Sequence, residues 1–307
     1  MRARLARRTV LAGIVLASLA PALEAQTVDD SVMMHRNSVC TGLLYTHDQW
    51  DEYWEGALKR VNGNIGTVTT ESVAGMASYG VTDRLGVIAV LPYVRTSASQ
   101  GVLRGMRGFQ DLTLALKYNL LETDFTRRGS LRTIVVAAAG APIGEYTPDF
   151  LPLSIGSASR SLSGRLTLSF RAHAGWFVEG TSAYTWRGNV TLDRPYYFTN
   201  DRLFMSDQVP LPEVFDYKVG AGYAGHGLYV PVTFTQRITR GGGDIRRQDM
   251  PFVANRMNFS KVDAVVLYAL PMAKRLALRA EGSYTVRGRN VGQATTVTGG
   301  LLYTFHF

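Results

Sequence analysis

Residues 299–307, the end of the chain, read GGLLYTFHF. Leu301, Tyr303, Phe305 and Phe307 alternate with Leu302, Thr304 and His306 up to the last residue, where a chain is ordinarily polar and frayed. A period of two places the first set on one face of a strand and the second set on the other. Such an aromatic face either closes a half-buried soluble sheet or meets lipid. The remaining sequence separates the two.

The same alternation recurs along the chain. In RLALRAEGSYTVR, Leu276, Leu278, Ala280, Gly282, Tyr284 and Val286 share one face, and Arg275, Arg279, Glu281, Ser283, Thr285 and Arg287 share the other. DLTLALKYNL sets Leu112, Leu114, Leu116, Tyr118 and Leu120 against Asp111, Thr113, Lys117 and Asn119, and SLSGRLTLSFR repeats the arrangement with Arg165 and Arg171 on its polar face. Further strands are expected near 65–79, 85–95, 131–142, 175–187, 214–223, 228–238, 260–270 and 294–307. The first strand is placed at 50–60, with 38–46 as the alternative. The total is about twelve strands, bounded by ten and fourteen.

Connections alternate in length. VTDR, AHAG, AGHG and PMAK are short, whereas TSASQGVLRGMRG, EYTPDFLPLSIG and the stretches 188–213 and 239–259 are long. ETDFTRRGS is long for a turn, and VNGN and NVGQ are short for outer loops. A soluble sheet buries its apolar face inward, and twelve strands cannot do that around one filled interior. Lipid reverses the problem: it solvates the apolar face, closure pairs every backbone donor, and the polar face lines a lumen. The expected fold is all-β: a transmembrane antiparallel up-and-down barrel with long extracellular loops and short periplasmic turns. Trp50, Trp54, Tyr93, Tyr118, Trp176, Trp186, Tyr217, Tyr223 and Tyr268, near strand ends, would form interfacial girdles.

Residues 1–25 carry Arg2, Arg4, Arg7 and Arg8 before an apolar run and a small-residue end, the pattern of a secretory signal peptide cleaved after Ala25, with Ala22 the second candidate. Its removal takes four of 33 basic and one of 24 acidic residues and leaves a net charge of +6. That excess is mild and scattered, unlike a nucleic-acid surface. Residues 26–49 are expected to be a periplasmic lead-in or small plug, and 50–307 the barrel. The single Cys40 forms no internal disulfide, and no metal-ligand spacing, cofactor motif or catalytic constellation is present; the five histidines carry no hydrolase signature.

With Phe307 facing lipid, strand phase assigns to the lumen Asp111, Lys117, Arg165, Arg171, Glu179, Arg187, Asp216, Lys218, Arg237, Lys261, Asp263, Arg275, Arg279, Glu281 and Arg287. Basic side chains outnumber acidic ones there, which favours anions or polarisable aromatic solutes over cations. Tyr196, Tyr197, Phe198, Phe204 and Met205 in the longest loop either constrict the mouth or pack on themselves.

Leu301, Tyr303, Phe305 and the final Phe307 resemble the carboxy-terminal signal read by the barrel-assembly machinery of the bacterial outer membrane. YGVTDRLGVIAVLPYV at 79–94 and GFQDLTLALKYNL at 108–120 resemble the outer-membrane channel family linked to the meta-pathway of phenol degradation. That family is distantly similar to the long-chain fatty-acid transporters, whose amino-terminal plug has no clear counterpart in residues 26–49. The resemblance implies passive uptake of small hydrophobic or aromatic solutes, some of them anionic, across an outer membrane reached by the Sec route. The partners are then the bilayer, the assembly machinery and the solute. A structural or adhesive barrel is the alternative, and an outer-membrane hydrolase a more distant one.

Overall fold

The computed structural model describes residues 26–125, 128–246, 250–273 and 275–307; the expected signal peptide lies outside them. Twelve long strands form one antiparallel sheet. They are β1 Ser38–Trp50, β2 Val68–Thr82, β3 Leu85–Ala98, β4 Asp111–Phe125, β5 Gly129–Pro142, β6 Ser161–Ala172, β7 Trp176–Arg187, β8 Glu213–Gly225, β9 Leu228–Arg240, β10 Asn258–Ala269, β11 Leu276–Arg289 and β12 Thr295–His306. Each pairs with its neighbours in sequence, and β1 pairs with β12 from Ser38↔His306 to Gln49↔Thr295, so the sheet closes. Closure leaves no edge strand.

Alternation decides which way each side chain points. Along β12, Val297, Leu301, Tyr303 and Phe305 are exposed on the lipid side, as is Phe307 just beyond it, whereas Leu302 is buried inside against Met34, Cys40 and Met76. Tyr93, Tyr118, Trp176, Trp186, Tyr217 and Tyr268 are likewise exposed. Trp54 is not: it is 7% exposed, in the small hairpin Glu52–Glu55/Leu58–Val61.

The first strand is Ser38–Trp50 rather than 50–60. Gly56, with φ at +56°, turns the chain back after four residues, so the Trp- and Tyr-rich stretch stays in an extracellular loop. The apparent long turn ETDFTRRGS is mostly strand, because β4 runs to Phe125 and β5 starts at Gly129.

Extracellular loops pack over one mouth. Val190, Leu192, Tyr197, Val209, Leu211 and Val253 form one buried cluster, and Ile65, Val68 and Leu153 another. The longest loop therefore packs on itself through Tyr197, while Tyr196, Phe198 and Met205 remain exposed. A cavity of about 330 Å³ lies beneath this cap, lined in part by Arg187, Leu151 and Val253.

Leu302 is 1% exposed at the seam between first and last strands. Leu302→Ala is expected to destabilise the folded barrel by about 2–5 kcal/mol, read as a lower urea midpoint in refolding titrations into detergent.

Candidate functional site: a plugged lumen

Residues 26–36 fold into the periplasmic half of the barrel. The segment leaves the wall at Asn37, whose N–H donates to the Gly80 carbonyl (2.8 Å) and whose carbonyl accepts from the Phe307 N–H (3.1 Å). It then doubles back on itself, the Met34 N–H donating to Gln26 Oε1 at 2.9 Å. Two glycines let it lie against the wall: a Cβ on Gly80 would meet the His35 carbonyl oxygen at 2.0 Å, and one on Gly86 would meet Gln26 Nε2 at 2.6 Å.

The tip of the segment is held by charge. Lys117 of β4 is fully buried, and its ammonium donates to the Thr27 carbonyl (2.8 Å), the Asp30 carbonyl (2.7 Å) and Asp30 Oδ1 (2.7 Å). Asp30 Oδ2 accepts from the Thr27 N–H and hydroxyl, at 2.7 and 2.6 Å, so both carboxylate oxygens are satisfied. Asp29 pairs with Arg165 of β6, and Lys218 of β8 donates to the Asp29 carbonyl at 3.3 Å. Arg132 of β5 donates to the Ser31 carbonyl at 3.3 Å. A buried ammonium is tolerable only with such a complete set of acceptors.

Asp29 still has more than half of its side chain exposed to the lumen. Enclosure in the barrel pushes its carboxyl up, but Arg165, Lys218 and Lys261 together pull harder and set it at about 2. The docked form thus holds Asp29 below its ordinary value, so its contribution is complete above that value and is lost as pH falls toward 2.

The wall around the segment is two-sided. Ile88, Ala115, Ile134, Val136 and Ala138 form an apolar stripe across β3, β4 and β5, and Val28 and Met33 of the segment pack on it. The opposite wall is ionic. Arg237 forks onto Asp216 (2.8 and 3.1 Å), Lys261 meets Asp263 (2.6 Å), Arg279 meets Glu281 (2.7 Å), and Lys218 stands 4.0 Å from Glu179. Asp263 also accepts from Thr235 at 3.1 Å.

Several expected lumen residues lie at the ends. Arg187 donates to the Pro212 carbonyl and Asp111 accepts from Tyr146, both at the extracellular mouth. Arg171 donates to the Ala224 carbonyl in a periplasmic cavity of about 750 Å³ between the segment and the wall. Two depart from the expectation. Arg275 precedes β11, exposed in the periplasmic turn. Arg287 loses the lumenal phase at a bulge: Lys261 faces Thr285 and Ser260 faces Arg287, so Val286 is skipped and Arg287 turns outward.

Strand phase does not find Asp29, Asp30 or the apolar stripe. The adjacent aspartates of TVDDSV are the only signal for the segment, and they acquire meaning only from Lys117 and Arg165, which are distant in sequence.

Lys117→Met leaves Asp30 buried without its counter-charge, a loss of about 3–5 kcal/mol. Protection of the residue 28–34 amides against hydrogen exchange should then fall by about a hundredfold or more. In the unaltered protein that protection should hold from neutral pH down to about pH 4 and drop on approach to about pH 2.

Residues 60–201 match the family model described as putative MetA-pathway of phenol degradation. The structure is similar to the crystal structure of an outer membrane channel from Pseudomonas putida F1, at 15% identity and a TM-score of 0.70, over 92% of this chain and 100% of that one. Weaker likenesses are to the NanC porin (10% identity, TM-score 0.45, 85% of this chain and 98% of that) and to the CymD monoaromatic hydrocarbon channel (11% identity, TM-score 0.41, 89% and 90%). No curated protein matches the sequence. The chain is a twelve-stranded barrel with the fold of an outer-membrane channel, and it resembles the phenol-degradation family through residues 60–201.

Proposed function

We propose that this barrel is an outer-membrane channel for passive uptake of small hydrophobic or aromatic solutes, anionic ones included. The observation that carries the reading is the two-sided lumen: an apolar stripe at Ile88, Ala115, Ile134, Val136 and Ala138 opposite a wall of ion pairs. A fully ionic lumen would desolvate an aromatic ring poorly, and a fully apolar one would trap it. A stripe lets a ring slide while the opposite wall keeps water in the pore.

Residues 26–36 close the periplasmic half in the form described, so transport requires them to move. Among the described residues, the wall holds their tip through Lys117, Arg165, Lys218 and Arg132. The family resemblance supports an aromatic cargo. Export by the Sec route and insertion by the barrel-assembly machinery, reading Leu301, Tyr303, Phe305 and Phe307, belong to the same reading.

One observation favours a second reading. The loop clusters over the extracellular mouth and the segment at the other together suit a closed structural or adhesive barrel. Uptake by liposomes containing the full chain separates the two. Benzyl alcohol or phenol should enter faster than into protein-free liposomes, and deleting residues 26–36 should raise the rate several-fold. Equal rates with and without protein, for both forms, would leave only the structural reading.

Removing Phe307 tests the assembly arm. The yield of heat-modifiable barrel in the outer membrane should drop steeply, whereas barrels that do assemble should pass benzyl alcohol at the unaltered rate.

A further inference from the structure

Across the ionic wall and the periplasmic mouth, five cations stand beside carboxylates of the wall itself: Arg132 by Glu122, Arg237 by Asp216, Lys261 by Asp263, Arg279 by Glu281, with Lys218 close to Glu179, whereas Arg171 rests on the Ala224 carbonyl. Lys117 and Arg165 differ. Among the described residues their carboxylate partners come from residues 26–36 alone, as Asp30 and Asp29. When the segment leaves, both cations lose their paired carboxylates, and the nearest wall acid, Glu179, is shared with Lys218.

Their position is fixed by register. Lys117 lies opposite Val136, and Val136 lies opposite Arg165, so the two cations flank one apolar residue in a single row across β4, β5 and β6. Their backbones are about 10 Å apart, two strand spacings. The neighbouring rows present Ile88, Ala138 and Ile134. The docked segment fills this surface with two carboxylates and two apolar side chains, Val28 and Met33. In shape and charge that is an apolar body carrying an acid.

We infer that Lys117, Arg165 and the stripe between them form a binding site for aromatic carboxylates, and that Asp29 and Asp30 occupy it in the closed channel as built-in competitors. This inference rests on the channel reading and names the class of solute that site selects. A benzoate-like solute places its carboxylate on the two cations and its ring on Val136 and Ile134. It thereby replaces the contacts that hold the segment, so the solute itself favours the open lumen. A neutral ring of equal size gains the stripe but not the cations.

Calorimetric titration of the full barrel in detergent with benzoate and benzyl alcohol, at constant ionic strength, tests this. Asp29→Asn/Asp30→Asn should bind benzoate about tenfold or more tightly than the unaltered chain. Adding Lys117→Gln/Arg165→Gln should abolish that binding while benzyl alcohol binds both alike. Should the quadruple variant lose its heat-modifiable fold, Val136→Glu in the Asp29→Asn/Asp30→Asn background keeps both cations and supplies an internal carboxylate; it too should abolish benzoate binding. Benzoate binding that is no tighter after the aspartates are removed, or that survives either set of changes, overturns the site. Loss of the site with neutral aromatic uptake intact overturns this inference alone, whereas an intact site with no uptake of any solute overturns the channel reading alone.

Discussion

A backbone N–H in hydrocarbon has no water to turn to, and everything else in this molecule follows from that constraint. It forces the sheet to close, so the last strand must pair with the first, and it does so from Ser38 to Gln49. Closure in turn fixes which side chains can be polar. With the apolar members of each strand committed to lipid, the inner face holds the charges, and a lumen is the unavoidable by-product.

Charges enclosed in that lumen are close to low-dielectric walls and must be matched locally. Most are matched by residues two positions along one strand or directly across a pair, as with Lys261 and Asp263 or Asp216 and Arg237. Such pairs stiffen the wall without leaving an unbalanced field. The row through Lys117, Val136 and Arg165 differs, because its balance is supplied from a separate piece of chain. The structure thus divides its electrostatics into a permanent part and a removable part.

How much of this could be read from the sequence follows from the range of each interaction. Alternation is local, so the barrel, its strand number and the outward set Leu301, Tyr303, Phe305 and Phe307 are legible residue by residue. Strand phase fails where one residue is inserted, as at Val286, because a bulge leaves no trace in hydrophobic pattern and Arg287 changes sides unannounced. The start of the barrel was obscured for a different reason. In SVCTGLLYTHDQW the inward set includes Cys40 and Leu44, which pack on Met34, Met76 and Leu302, so both faces read as apolar and the strand loses its contrast. The site is less legible still, since Asp30 meets Lys117 across 87 positions of chain. No pattern short of the fold itself brings them together.

Asn37 is held by Gly80 on one side and by Phe307 on the other. Its second anchor therefore follows directly on the strand that closes the seam with β1. Before the seam forms, the segment has a loose root and the ring has an open side; afterwards it has both a fixed root and a wall to lie against. Stoppering and completion are thus one event in time. A barrel whose seam has closed is, by that same step, one whose inner segment has its root in place.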